Sequence, residues 1–145
     1  MLTSNPFAQG WHRHFVTVRY KETDQMGVAH HSNYYVWFEE ARTQMLKDLG
    51  FRYRDLEENG LLLSIIDTSC RYLRPARYDQ QVTIKTRIRE LRKLKIFFEY
   101  EVEDETGLLL ARAQTTLGAL DLNLKPSRIP TPIAVALKKS QTETV

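Results

Sequence analysis

The strongest constraint on the fold is a pair of neighbouring segments in which apolar and polar side chains alternate with a period of two. They span residues 81–90 and 95–103. Such alternation places the apolar side chains on one face of a β-strand, so the pair predicts antiparallel strands with one face in water. Similar segments predict three further strands at residues 12–20, 62–72 and 108–121.

One segment has the spacing of an amphipathic helix. It covers residues 33–49, Asn33 or Ser32 can cap its first turn, and Gly50 stands where a left-handed residue is favoured. Its apolar stripe consists of Tyr34, Phe38, Ala41, Met45 and Leu49. A single stripe needs a sheet to cover it, so the pattern predicts an α+β fold with a five-stranded antiparallel sheet around one long central helix.

Length and charge limit the classes of protein to which the chain can belong. A chain of 145 residues without repeats is expected to form one domain over 1–145, with a core at about 12–124 and a short C-terminal helix at about 131–139. A net charge of +3 suits an anionic ligand but does not by itself indicate nucleic-acid binding. No apolar run reaches the ~20 residues of a membrane span, residues 1–10 lack the build of a signal peptide, and the lone Cys70 fits a reducing compartment. We therefore expect a soluble cytoplasmic protein that binds neither nucleic acid nor membrane.

The residues that could carry chemistry lie between the first strand and the helix. Asp24 follows the strand, Gly27 allows a turn, and His30-His31-Ser32-Asn33 opens the helix. An acid just ahead of the amide-rich N-terminus of a helix is a workable site for attack on a carbonyl. The structural alternative is that Asp24 only belongs to a turn, as in most Asp-x-x-Gly sequences. The adjacent histidines do not have the spacing of a metal site, so we expect no metal and no cofactor.

Two segments resemble the signature of the hotdog-fold acyl-CoA thioesterases, in the branch that contains 4-hydroxybenzoyl-CoA thioesterase and the YbgC-type enzymes. The first match is carried by Asp24, Gly27-Val28, Asn33-Tyr34 and Glu39-x-Ala41-Arg42. The second runs from Tyr72 to Asp79 and is similar to the Y-x-x-P-A-x-x-D segment of these enzymes. The resemblance covers about residues 12–124. It implies a hotdog fold, an acyl-CoA substrate, and a homodimer or homotetramer that pairs sheets edge to edge.

The resemblance also implies roles for single residues. Asp24 would act on the thioester as nucleophile or as base for water, and the backbone amide of His31 would polarise the carbonyl. Contact with the substrate is expected at His30, Asn33, Tyr34 and Ser64. The residues themselves favour a structural role for two of these, with Asn33 as the helix cap and Tyr34 as part of the core, its hydroxyl reaching towards the site.

Other charged residues and histidines have less specific assignments. Coenzyme A is a polyanion that arginine binds well, so the basic stretch over residues 71–95 supplies candidate phosphate ligands. The first choices are Arg74, Arg87 and Arg89. Glu39 and Arg42 are expected to pair on the helix surface or to lie at an interface. His12 and His14 are expected at the surface or at an interface.

Two other functions stay open at this point. The chain could be a non-catalytic module that binds acyl-CoA, although such a module needs no acid facing the thioester. It could also be a hotdog hydratase or dehydratase, but it lacks the G-D-x-N-P-x-H motif of the hydratases. The sequence fixes neither the acyl group nor the choice between coenzyme A and acyl carrier protein.

Overall fold

A computed structural model of the protein describes residues 6–142. Within that range the strands are β1 (Phe7–Ala8), β2 (Trp11–Thr17), β3 (Leu62–Tyr72), β4 (Gln81–Leu91), β5 (Lys95–Glu103) and β6 (Leu109–Leu120). The helices are α1 (Ser32–Asp48), α2 (Tyr53–Glu58) and α3 (Thr131–Thr142), with one turn of 3-10 helix at Tyr20–Glu22. The described range leaves out residues 1–5 and 143–145 of the predicted domain. Half of residues 1–10, the segment considered as a signal peptide, therefore lies outside it.

The strands form one antiparallel sheet in the order β1-β2-β4-β5-β6-β3. Alternate residues of β4 and β5 are buried, as the period of two predicts. Helix α1 packs against β2 and β4, and its Phe38 stacks on Tyr100 of β5 with ring centroids 4.5 Å apart. The predicted α+β fold is therefore confirmed. The count of five strands is wrong by one, because β1 has two residues and is too short to show an alternation.

Helix α1 buries the predicted stripe and ends where the sequence indicates. Tyr34, Phe38, Ala41 and Met45 are buried, and Leu49 packs partly against the same core. Gly50 has a φ of +101°, a conformation that glycine adopts at little cost. Its N–H donates to the Lys47 carbonyl at 2.9 Å, which satisfies one of the last carbonyls of the helix.

The first strand differs from its prediction in length and in exposure. It ends at Thr17, because Val18 instead exchanges backbone hydrogen bonds with residues 79 and 80 and the chain then turns into the 3-10 helix. His12, expected at the surface or at an interface, is fully buried in the chain, with its Nε2 2.6 Å from Oδ2 of Asp48. Burial lowers the pKa of His12 although Asp48 acts in the opposite direction.

No helix within residues 6–142 is long and apolar enough to cross a membrane.

Candidate active site

Asp24 forms a tight turn with the four residues that follow it. Its Oδ1 accepts hydrogen bonds from the N–H groups of Met26 at 2.8 Å and Val28 at 3.4 Å. Its own N–H donates to the Val28 carbonyl at 2.9 Å, and the φ of Gly27 is +77°. Asp24 is therefore a turn residue, as the structural alternative proposed. Only one carboxylate oxygen takes part, and within residues 6–142 no hydrogen bond engages Oδ2.

The start of α1 leaves a backbone donor without an acceptor. His31 occupies the N-cap position, with φ −56° and ψ −30°, and its own side chain makes no capping hydrogen bond, while the first helical N–H, that of Ser32, donates to Nδ1 of His30 at 3.3 Å. Within the part of the chain that the structure describes, the His31 N–H donates no hydrogen bond. The predicted cap at Ser32 or Asn33 is wrong, because the helix begins at Ser32 and both residues lie within its first turn, where the Ser32 hydroxyl is 2.9 Å from Nδ1 of His30. An N–H at the positive end of a helix dipole is a suitable donor for a developing oxyanion.

Asn33 and Glu22 hold the loop ahead of the helix in place. The side-chain amide of Asn33 donates to the carbonyls of Glu22 at 2.9 Å and His30 at 3.1 Å. Glu22 is buried, and its carboxylate accepts hydrogen bonds from the Arg19 N–H at 2.8 Å and from Trp37 Nε1 at 3.1 Å. Burial acts to raise the pKa of Glu22, but the hydrogen bonds from Arg19 and Trp37 outweigh it and lower that pKa. Sequence reasoning missed Glu22, because Trp37 lies fifteen residues further along the chain.

The second matched segment forms the opposite wall of the site. The Ala29 N–H donates to the Ala76 carbonyl at 2.7 Å, and the Tyr78 N–H donates to the Gly27 carbonyl at 3.1 Å. Tyr72, at the end of β3, donates its hydroxyl to the His31 carbonyl at 3.4 Å. This segment joins two strands, as predicted. It also fixes the position of the Asp24 turn relative to the start of α1.

These elements line an open cavity of about 320 Å³. The residues that line it include Asp24, His31, Tyr34, Tyr72, Arg74 and Pro75. Burial raises the pKa of both tyrosine hydroxyls, and Cys70 and Tyr35 raise that of Tyr72 further. Both hydroxyls are therefore neutral at physiological pH. The cavity combines one acid, one free backbone donor and aromatic walls.

The other predicted site residues lie in different surroundings. Asn33 supports the loop, and the His30 ring is exposed and stacks on that of His31 at 4.3 Å. Ser64 pairs with Gly118 within the sheet and does not line the cavity. Its contact with substrate stays a prediction.

The three arginines chosen as phosphate ligands are not brought together. Arg74 lines the cavity and donates one hydrogen bond to the Leu109 carbonyl at 3.3 Å. Arg87 pairs with Glu99, and its guanidinium lies 4.1 Å from the centre of the Trp11 ring. Arg89 lies 3.9 Å from Glu90 and 5.2 Å from the centre of the Phe97 ring. Arg74 is thus the arginine of the three that lies beside Asp24 and His31.

Metal ligands do not converge in the described range. Residues 6–142 contain no group of three or more His, Cys, Asp or Glu side chains that could hold a metal ion. The expectation of a metal-free and cofactor-free protein stays a prediction.

An antiparallel sheet packed on one long helix, with a cavity at the start of that helix, is the arrangement of a hotdog-fold protein. Residues 26–111 match the family model described as the thioesterase superfamily. The acyl-CoA thioester hydrolase YbgC of Escherichia coli O157:H7 is 30% identical over 125 residues, which cover 86% of this chain and 93% of the relative. The acyl-CoA thioesterase YbgC of Haemophilus influenzae is 32% identical over 123 residues, which cover 83% and 90%. The crystal structure of the DHNA-CoA thioesterase from Staphylococcus aureus superposes with a TM-score of 0.84 at 32% identity and covers 91% of each chain. This chain belongs to the thioesterase superfamily.

Proposed function

We propose that the protein hydrolyses an acyl-CoA thioester to the free acid and coenzyme A. The observation that carries this proposal is that Asp24 and His31 line one cavity, while Oδ2 of Asp24 and the N–H of His31 make no hydrogen bond within residues 6–142. Two relatives named as YbgC thioesterases support the reaction class. Thioester hydrolysis needs a nucleophile or a general base at the carbonyl carbon and a donor at the carbonyl oxygen, and Asp24 and the His31 N–H can supply them.

Two routes use the same residues. Asp24 acts either as a nucleophile, forming an anhydride that water then hydrolyses, or as a base that takes a proton from water while the water oxygen bonds to the carbonyl carbon. In both routes the His31 N–H stabilises the oxygen that becomes negative. The carbon–sulfur bond then breaks, and the thiolate of coenzyme A leaves. Because Oδ1 is engaged in the turn, Oδ2 is the oxygen available for either role.

The remaining residues are assigned by whether they line this cavity. Tyr34 and Tyr72 supply aromatic walls beside the acyl carbonyl, and Arg74 supplies a cation for a phosphate of coenzyme A. His30 and Asn33 shape the loop around the cavity, and Ser64 would reach the substrate only from farther along β3. Arg87 and Arg89 are already paired with acids, so they are weaker candidates for phosphate binding.

We further propose that the protein assembles edge to edge through β3. This strand lies at the edge of the sheet, and Ile65 and Ile66 on it are about half exposed. An exposed edge of eleven residues with apolar side chains favours pairing with another strand. A dimer, or a tetramer made of two dimers, would cover it. The lone Cys70 is consistent with a cytoplasmic location.

A panel of aromatic, short-chain and long-chain acyl-CoAs tests the reaction. Released thiol is followed with a thiol-reactive dye, and acyl carrier protein thioesters are added as a second set. Cleavage of at least one thioester supports the proposal, and the ranking of the panel identifies the acyl group. Tight binding without loss of ligand on long incubation would instead favour a binding module. Hydration of crotonyl-CoA without cleavage would favour a hydratase.

A further inference from the structure

Arg42 of α1 is a buried cation without a carboxylate partner. Arg42 is only 5% exposed, and its Nη1 donates to the hydroxyl of Tyr100 at 3.1 Å. The Nε has no acceptor, and within residues 6–142 no acid lies within 4.0 Å of the guanidinium. The predicted surface pair between Arg42 and Glu39 is therefore absent from the single chain. A buried charge without a counterion is strongly unfavourable, so the guanidinium needs an anion from elsewhere.

Arg42 lies in a groove between α1 and the edge strand β3. The groove has a volume of about 300 Å³, and its walls include Tyr35 and Val36 of α1 and Ile65 and Thr68 of β3. Of these, Tyr35, Val36 and Ile65 are large apolar side chains that stay exposed in the single chain. Apolar side chains around a desolvated cation are typical of the centre of a protein interface.

Glu39 is the acid that lines this groove, and it too has no partner within the described residues. Its neighbour Glu40 is turned to the other side of α1, where it lies 3.8 Å from Nε2 of His14. The groove therefore presents one unpaired acid and one unpaired base that do not reach each other. In a two-fold interface every contact is reciprocal, so a contact between Arg42 of one copy and Glu39 of the other would occur twice.

We propose that a second copy of the chain closes this groove, and that Arg42 donates to Glu39 of the partner subunit. The same contact repeats about the two-fold axis, so each dimer contains two such ion pairs. This inference rests on the proposed edge-to-edge assembly through β3. It adds the ion pair between Arg42 and Glu39, which makes a second copy of this chain a better partner for β3 than a strand of a different protein.

Sedimentation velocity over a concentration series tests the pairing with Glu39→Lys. Glu39 is exposed in the single chain, so its substitution leaves the fold intact, but it places a cation opposite Arg42 of the partner subunit. The expected result is a dimer dissociation constant raised at least about tenfold, because two cations would face each other across the interface. Glu40→Lys is the matched control, with the same change of charge one residue away, and it should leave the constant within about twofold.

The double variant Glu39→Lys with Arg42→Gln separates this repulsion from other effects. Glutamine keeps a donor for Tyr100 and removes the charge, so the double variant should dimerise more tightly than Glu39→Lys alone. Equal weakening by Glu39→Lys and Glu40→Lys overturns the inference while leaving the edge-to-edge dimer in place. The inference is also overturned if Glu39→Lys destabilises the monomer without changing dimerisation. That result would indicate that Glu39 pairs with Arg42 of its own chain. A wild-type protein that stays monomeric throughout the series refutes the proposed assembly itself, independently of thioester cleavage.

Discussion

Residues 24–28 and residues 104–108 fold into the same turn in two different surroundings. In the second turn, Oδ1 of Asp104 accepts hydrogen bonds from the N–H groups of Thr106 at 2.9 Å and Leu108 at 3.0 Å. The N–H of Asp104 donates to the Leu108 carbonyl at 3.0 Å, and the φ of Gly107 is +87°. Each of these features has its counterpart at Asp24. Local hydrogen bonding therefore explains both acids, and it gives no reason to assign chemistry to either one.

The two turns differ in the residues that surround them. The Asp104 turn joins β5 to β6, and residues 105–108 are exposed. The Asp24 turn is held against residues 76–78 and lines a cavity together with His31. Catalytic potential thus comes from contacts that are distant in sequence. The Asp-x-x-Gly tetrapeptide, which the two turns share, does not supply it.

Exchanging each aspartate for asparagine should give the largest difference between the turns. Asparagine keeps an Oδ1 acceptor for the turn, so both Asp24→Asn and Asp104→Asn should fold with thermal midpoints close to that of the wild type. We expect Asp24→Asn to lower kcat by ~10²–10⁴, as for the loss of a general base, or by more if Asp24 is the nucleophile. Asp104→Asn should leave kcat unchanged. Equal activity of the two variants in the thiol-release assay would reject the catalytic assignment of Asp24.

Alanine at the turn glycines should separate stability from activity. An added Cβ meets no atom within 4 Å at Gly27 or at Gly107, so only the positive φ is unfavourable. Each substitution should reduce the free energy of unfolding by about 1–2 kcal/mol, measured by urea denaturation. Gly27→Ala should in addition lower kcat by roughly 10–100-fold, because it shifts the turn that positions Asp24. If Gly107→Ala reduced kcat as much, the loss would reflect general destabilisation.

The smallest expected difference concerns one hydroxyl. The Thr106 hydroxyl donates to Oδ1 of Asp104 at 2.7 Å and is the main cause of the lowered pKa of that carboxyl. The corresponding position in the first turn is Met26, which has no hydroxyl. Thr106→Met should raise the pKa of Asp104 towards its usual value, measured by NMR titration. An unchanged pKa would show that the backbone donors alone stabilise the carboxylate.

The sign of the accompanying pH effect follows from linkage. Because the pKa of Asp104 is lower in the folded state than in the unfolded state, its contribution to stability is present above the unfolded value of 3.8 and is lost as pH falls through the folded value. Thr106→Met should therefore make the protein less sensitive to acid in that range. The opposite change in slope would contradict this assignment.

Patterns local in sequence predicted much of the fold. The alternation over residues 81–103 and the stripe of α1 gave two central strands and the main helix, because side-chain periodicity reports directly which face is buried. In β3 the strand was predicted but its irregularity was not, since a bulge between Ile65 and Asp67 shifts the register. A bulge depends on the partner strand and has no signature of its own in this sequence.

Part of the geometry around the candidate site was also predicted from spacing along the chain, whereas the roles of its residues stay predictions. The spacing from Asp24 to His31 indicated an acid beside a helix start, and the two do line one cavity. The capping prediction was wrong because the helix begins at Ser32, which puts both Ser32 and Asn33 inside its first turn, and the amide nitrogen of Asn33 donates to the carbonyls of Glu22 and His30. The burial of Arg42 was missed because its partner Tyr100 lies 58 residues away, and no helical spacing reports such a contact.

The most direct test of the proposed chemistry removes the His31 N–H while sparing the rest of the site. The φ of His31 is −56°, within the range that proline requires, so His31→Pro deletes the donor without straining that residue. His31→Ala is the control, because it removes the same imidazole and keeps the N–H. Circular dichroism checks that both variants fold, and thiol release from the best acyl-CoA of the panel gives kcat. We predict that the alanine variant stays within about tenfold of wild type, whereas the proline variant falls a further ~10²–10³, the effect of losing one oxyanion donor. A folded proline variant that turns over as fast as the alanine variant would contradict a role for this amide.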